Sequence, residues 1–207
     1  MIRIKICGIT NLEDALAAAE VGADALGFVL AASPRQVTPE NLKHLVAKLP
    51  PLVLKVGVFV DSPLDEVRRI MSDCGLNLAQ LHGSESPEYC EALFPRAIKA
   101  FQVKDAAVLE QLPLYRASAY LLDGYHSQLK GGSGQSFDWD IAQQARGLGR
   151  IILSGGLTPE NVVQAIAIAR PYGVDVSSGV EARPGKKDHR KLAAFIRAVK
   201  ESDSEAA

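Results

Sequence analysis

A single-domain (β/α)8 barrel, the TIM-barrel architecture, is the fold class that this 207-residue chain predicts, on three observations. Eight short runs rich in Ile, Val and Leu alternate with eight longer stretches of helical periodicity. The βα units recur about every 25 residues, a spacing that favours closure of a parallel sheet covered by helices. Polar and glycine-bearing segments follow the strand-like runs, where a parallel barrel keeps its chemistry.

The strand candidates are Ile2–Ile6, Ala25–Leu30, Val53–Val60, Leu78–Leu81, Ala97–Phe101, Ala119–Leu122, Arg150–Leu153 and Val174–Ser177. Between and after them lie helix candidates at Asn11–Val21, Pro39–Lys48, Pro63–Cys74, Pro87–Phe94, Ala106–Gln111, Trp139–Arg146, Pro159–Ala169 and Lys186–Lys200. Thr38-Pro39, Ser62-Pro63, Ser86-Pro87 and Thr158-Pro159 each put a hydroxyl before a proline, the order that suits N-cap and N1. An open doubly wound sheet is the competing architecture. It would normally carry a glycine-rich fingerprint after its first strand, where this chain has Cys7-Gly8-Ile9-Thr10. No linker or composition break divides the chain, so residues 1–200 are expected to form one barrel and residues 201–207 a polar tail.

Composition narrows the function. With 23 basic and 24 acidic residues the formal charge is −1, which argues against a nucleic-acid partner. Cys7, Cys74 and Cys90 are odd in number and form no CxxC pair or His/Cys cluster, so no metal site is expected. The N-terminus lacks the apolar core of a secretion signal, and no apolar run approaches the roughly 20 residues of a membrane span. The expectation is a cytoplasmic protein with reduced thiols and no membrane partner. A monomer and a homodimer fit the sequence equally.

Alternation along a strand turns Lys5 and Cys7 to one face and Ile4 and Ile6 to the other. Asp175 and Ser177 are likewise opposed to Val174 and Val176. Closure sets the first and last strands side by side, which predicts that Lys5 and Asp175 are neighbours inside the barrel. Other polar strand ends are Gln80 and His82, Asp123, and Ser154. Three glycine clusters follow the last strands: Gly132, Ser133 and Gly134 after strand six, Gly155 and Gly156 after strand seven, Ser178 and Gly179 after strand eight. Each alone reads as a tight turn. Converging on one rim, they suit a phosphate, whose oxygens take backbone N–H groups at close approach. Arg183, Lys186 and Lys187 follow as expected solvated residues at a helix start.

Taken in order, Lys5-Ile6-Cys7-Gly8-Ile9-Thr10, Gly22-Ala23-Asp24-Ala25-Leu26-Gly27-Phe28, Ser33-Pro34-Arg35, Val56-Gly57-Val58-Phe59-Val60, Gln80-Leu81-His82-Gly83, Leu121-Leu122-Asp123, Gly131-Gly132-Ser133-Gly134, Phe137-Asp138-Trp139, Ser154-Gly155-Gly156-Leu157 and Asp175-Val176-Ser177-Ser178-Gly179-Val180-Glu181 resemble the phosphoribosylanthranilate isomerases of tryptophan biosynthesis along nearly the whole chain. Two positions depart from the family's pattern: Ser133 stands where threonine is common, and Ser154, where alanine is frequent, is expected to add a donor near the phosphate.

The resemblance implies an Amadori rearrangement of N-(5-phosphoribosyl)anthranilate to 1-(2-carboxyphenylamino)-1-deoxyribulose 5-phosphate, with Asp123 as general acid and Cys7 as general base. It implies no cofactor, because the rearrangement is internal to a phosphorylated small-molecule substrate. It places Arg35 against the anthranilate ring and carboxylate, a task suited to a group that stacks and forks. Gln80 and His82 are expected to line the substrate pocket, although His82 fits a satisfied core histidine equally well. A thiol base asks for nearby positive charge, for which Lys5 is the candidate. A carboxyl that donates a proton asks for burial or anionic neighbours. Apart from the resemblance, Cys7 reads as a small buried hydrophobe, and Asp123 fits a turn or cap residue before Gly124 as well as it fits a functional one. Another sugar-phosphate barrel enzyme and a non-catalytic phosphate-binding barrel are the alternatives.

Overall fold

The computed structural model describes residues 1–124 and 138–204. In chain order the elements are β1 (Arg3–Ile6), α1 (Leu12–Val21), β2 (Ala25–Val29), α2 (Pro39–Val46), β3 (Leu54–Phe59), α3 (Leu64–Asp73), β4 (Leu78–Leu81), α4 (Pro87–Leu93), β5 (Ala97–Val103) and α5 (Val108–Gln111). They continue with β6 (Ala119–Gly124), α6 (Trp139–Ala145), β7 (Ile151–Leu153), α7 (Val162–Ala169), β8 (Gly173–Val176), β9 (Glu181–Arg183), β10 (Lys186–Lys187) and α8 (His189–Ser204). Strands β1 to β8 form a closed barrel in which each pairs in parallel with its sequence neighbours, and β8 returns to β1. Among the described residues no helix is long and apolar enough to cross a membrane.

Two apolar layers hold the barrel. Ile4, Ile6, Leu26, Phe28, Val174 and Val176 face outward and pack under the helices with Trp139, Leu192 and Phe195. Ala25, Val56, Ile98, Ala100, Leu121 and Ile152 face inward and fill the barrel. Each fully buried side chain of leucine or phenylalanine size contributes roughly 1.5–3 kcal/mol. The alternation expected on β1 and β8 is therefore the one observed.

The hydroxyl–proline signals divide two and two. Thr38 and Ser86 cap α2 and α4 through the N–H groups of Asn41 and Tyr89, with proline at the first helical position. Ser62 does not cap α3. Pro63 is extended (φ −57°, ψ 138°) and itself occupies the N-cap position, so the helix begins at Leu64, one residue too late for the Ser62 hydroxyl. Thr158 caps a turn instead of α7: its hydroxyl takes the Glu160 N–H, and Asn161 ties the turn by binding Thr158 N and Gly156 O. Helix α7 follows from Val162. The last helix starts at His189 and not at Lys186. Lys186-Lys187 instead pair antiparallel with β9, and Asp188 accepts the N–H groups of Arg190 and Lys191.

Candidate active site

The C-terminal ends of the barrel strands surround a cavity of about 350 Å3. Its walls include Cys7 at the end of β1, Arg35 after β2, Gln80 and His82 from β4, Asp123 from β6, Ser154, Gly155 and Gly156 from β7, and Asp175 and Ser178 from β8. Chain segments spread over the whole sequence thus meet at one mouth. A second cavity, about 410 Å3, lies at the opposite end between Arg3, Leu54 and Tyr172. Barrel enzymes keep their chemistry at the first of these ends.

Lys5 and Asp175 occupy paired positions on β1 and β8, and their side chains meet at 2.8 Å with both nearly buried. Burial pulls the Lys5 ammonium down, but Asp175, and then Cys7, outweigh that and hold it above the usual lysine range. The Ser154 hydroxyl, expected beside the phosphate, donates to Asp175 at 3.2 Å. Ser154 therefore completes the carboxylate's shell inside the barrel.

Cys7 is buried at the end of β1. Burial pushes its thiol up from the ordinary range, and the Lys5 charge is the largest opposing influence. Lys5 thus moderates the shift without reversing it. Cys74 and Cys90 are also buried, in the layer between helices and sheet.

Asp123 stands opposite a histidine that sequence reasoning placed only in the wall. His82 Nε2 lies 3.2 Å from Asp123 Oδ2, and His82 Nδ1 lies 2.9 Å from Gln80 Nε2. His82 directly follows β4, two residues after Gln80, and the extended chain turns both side chains to one face. With Gln80 Nε2 facing Nδ1, the tautomer that accepts the amide there carries its proton on Nε2, toward Asp123. Gln80 Oε1 is buried and takes no hydrogen bond among the described residues.

Two loops behind His82 are held by a buried pair that sequence reasoning missed. The Lys99 ammonium donates to Glu85 (2.7 Å) and to the Gly83 carbonyl (2.6 Å). The Glu85 carboxylate in turn accepts from the N–H groups of Asp61 and Gly83. The one signal for it was a lysine inside the apolar run Ala97–Phe101.

Arg35 crosses the mouth and forks onto Glu181, through Nε at 2.8 Å and Nη2 at 2.7 Å. Among the described residues its outer edge, Nη1 with the second Nη2 proton, and its flat face remain for a ligand. Glu181 is shared with Lys187, whose ammonium lies 3.0 Å away with no side-chain exposure. Arg183 is exposed, as expected, but Lys186 is half-buried and pairs with Glu13 at 2.8 Å and with Asp14 at 3.0 Å, and Lys187 is buried. Its burial follows from the β9–β10 pairing, which turns it inward, and from Asp14, which accepts the Lys187 N–H at 2.9 Å.

The glycines after β7 and β8 bring their loops into direct contact. A Cβ at Gly179 would strike the Leu157 carbonyl. A Cβ at Gly155 (φ +83°) would strike the backbone of Gly124 and come within 2.8 Å of Asp123 Oδ1. Ser178 and Gly179 open a single 3-10 turn (Ser178–Val180), and first-turn N–H groups of this kind suit an anion. Gly132, Ser133 and Gly134 lie outside the described residues.

A family model described as N-(5'-phosphoribosyl)anthranilate (PRA) isomerase matches residues 4–198. The N-(5'-phosphoribosyl)anthranilate isomerase of Pelobacter propionicus is 52% identical to the chain over 206 residues, 99% of each protein. That of Geobacter sulfurreducens is 52% identical over 201 residues, 97% of this chain and 99% of its own length. Among solved structures, phosphoribosyl anthranilate isomerase from Thermotoga maritima superposes with a TM-score of 0.90 at 45% identity, covering 97% of this chain and all of its own (100%). A phosphoribosyl anthranilate isomerase in complex with reduced 1-(o-carboxyphenylamino)-1-deoxyribulose 5-phosphate superposes with a TM-score of 0.88, again at 45% identity and with coverage of 97% and 100%.

Proposed function

The chain belongs to the N-(5'-phosphoribosyl)anthranilate isomerase family, and from that premise we propose that its barrel mouth performs the family's rearrangement with Cys7 as general base and Asp123 as general acid. The chain is an isomerase of tryptophan biosynthesis. What carries the acid–base assignment is that a thiol from β1 and a carboxyl from β6 line the same cavity.

The substrate's phosphate is assigned to Gly155, Gly156, Ser178 and Gly179, together with Gly132, Ser133 and Gly134. Its anthranilate is assigned to the outer edge and face of Arg35. The ribose then spans the space between Cys7 and Asp123. Asp123 gives a proton to the ring oxygen as the C1′–O bond breaks, and the amine nitrogen's lone pair forms the Schiff base. Cys7, as thiolate, takes the C2′ proton, and the electrons of that C–H bond neutralise the iminium as an enolamine. Tautomerisation to the ketone completes the reaction with no net change in oxidation state. His82 orients the Asp123 carboxyl through Nε2, and Gln80 fixes the ring.

The test is turnover. Purified protein mixed with freshly generated phosphoribosylanthranilate should remove the substrate's fluorescence, while Asp123→Asn and Cys7→Ser should each lose at least about a hundredfold in kcat. A folded wild-type protein without turnover would contradict the activity, and full turnover in either variant would contradict its assigned role.

A further inference from the structure

Cys7 has two lysines near it, and they differ in how their charge is matched. Lys5 is committed to Asp175 at 2.8 Å, a pair with no net charge. Lys187 donates to the Ser177 carbonyl at 3.1 Å and to Glu181 at 3.0 Å. Glu181 is at the same time forked by Arg35. Two cations therefore share one carboxylate, and the cluster of Arg35, Glu181 and Lys187 carries one positive charge in surplus.

That cluster adjoins the chain on either side of Cys7. Ser177, which accepts from Lys187, follows Val176, whose carbonyl accepts the Cys7 N–H at 2.8 Å. Gly8, the residue after Cys7, is packed so closely that a Cβ there would lie 2.6 Å from Arg35 Cδ and 2.9 Å from Ser177 Oγ. A tether for the β9–β10 hairpin would need only one cation on Glu181. The outer edge of Arg35 faces the ligand side, so a bound anthranilate carboxylate would bring the cluster to neutrality, and without Lys187 it would be negative beside the thiol.

We propose that Lys187 is a positioning residue for the base: by sharing Glu181 with Arg35 it gives the ligand-free cluster one positive charge in surplus and keeps it from turning negative beside the Cys7 thiolate once an anionic substrate is bound. The inference rests on the reading of Cys7 as the base. The charged groups facing the thiol are Lys5 from β1, Asp175 from β8, Lys187 from β10 and Arg35 from the loop after β2. Burial is the largest influence on Cys7 and pushes it up, with Lys5 and Lys187 both opposing it. Burial also draws Lys187 down from the usual lysine range, against the pull of Glu181.

The experiment is iodoacetamide alkylation of Cys7 across about pH 6 to 11, read by peptide mass spectrometry so that Cys74 and Cys90 are scored separately. It is paired with steady-state isomerase kinetics on the same proteins. Lys187→Met should raise the midpoint of Cys7 alkylation by about one pH unit and lower kcat at neutral pH about tenfold with KM little changed. Lys187→Arg should restore both. If Lys187→Met does not fold, Lys187→Gln keeps a donor for Ser177 and Glu181 without the charge and should show the same upward shift. An unmoved midpoint in a folded Met or Gln variant would overturn the proposal. Undiminished turnover in Cys7→Ser would instead remove the base assignment, and the alkylation midpoint would still report whether Lys187 acts on the thiol.

Discussion

His82 Nε2 and Asp123 Oδ2 face each other at 3.2 Å across the rim, with the far side of the imidazole held by Gln80 at 2.9 Å. A carboxyl that must donate a proton along one direction is thereby oriented by a ring that is itself oriented. His82→Ala should leave Asp123 in place but free to rotate. The expected outcome is a kcat lower by about tenfold with KM changed little, milder than the loss in Asp123→Asn. Steady-state kinetics on the two variants check this, and an equal loss in both would give His82 a role in the chemistry itself.

The pH dependence follows from Cys7. Its thiol is raised by burial, so at neutral pH the basic thiolate is the minor form. The fraction able to act as base grows as pH rises toward the thiol's folded value. The thiolate fraction itself should climb by about tenfold per pH unit above neutrality while the thiol remains mostly protonated, whereas kcat follows it only where Asp123 also keeps its proton. The pH dependence of Cys7 alkylation measures the thiolate directly, and a rate flat from neutral pH upward would contradict the raised thiol.

The Lys5–Asp175 pair makes a stability prediction. Lys5→Met leaves Asp175 buried with the Ser154 hydroxyl as its one side-chain partner among the described residues, and should cost about 3–5 kcal/mol in urea unfolding. A double variant, Lys5→Met with Asp175→Leu, should recover a large part of that loss, because an apolar pair requires no compensation. Equal stability of the single variant and wild type would show the charges to be solvated.

Gly155 tests the contact between the ends of β6 and β7. Alanine there meets Asp123 Oδ1 at 2.8 Å and Gly124 Cα at 2.9 Å, in a left-handed backbone (φ +83°). Gly155→Ala should lower stability by about 1–3 kcal/mol and impair turnover through Asp123 as well as through phosphate binding. Thermal unfolding and kcat with KM read the two effects separately.

Much of the barrel was legible in the chain because its signals are local. Runs such as Val174–Ser177 alternate with period two, and the four hydroxyl–proline pairs sit near four helix starts. The exact starts of α3 and α7 were not legible, since Pro63 takes the cap position itself and Asn161 builds an extra turn. At the site, the Lys5–Asp175 contact could be deduced because closure forces the first and last strands together. Lys187 could not. Its burial depends on a two-residue pairing with β9 and on an acceptor, Asp14, 173 residues away in sequence. The same holds for Lys99 and Glu85, which no periodicity joins.

The most direct test of the central claim is a single-turnover comparison of C2′-protio and C2′-deutero phosphoribosylanthranilate on the wild-type protein and on Cys7→Ser. If Cys7 takes the C2′ proton, the wild type shows a primary isotope effect whenever that step limits the turnover, and Cys7→Ser slows by at least about a hundredfold. A Cys7→Ser protein that turns over the protio substrate at the wild-type rate would contradict the account.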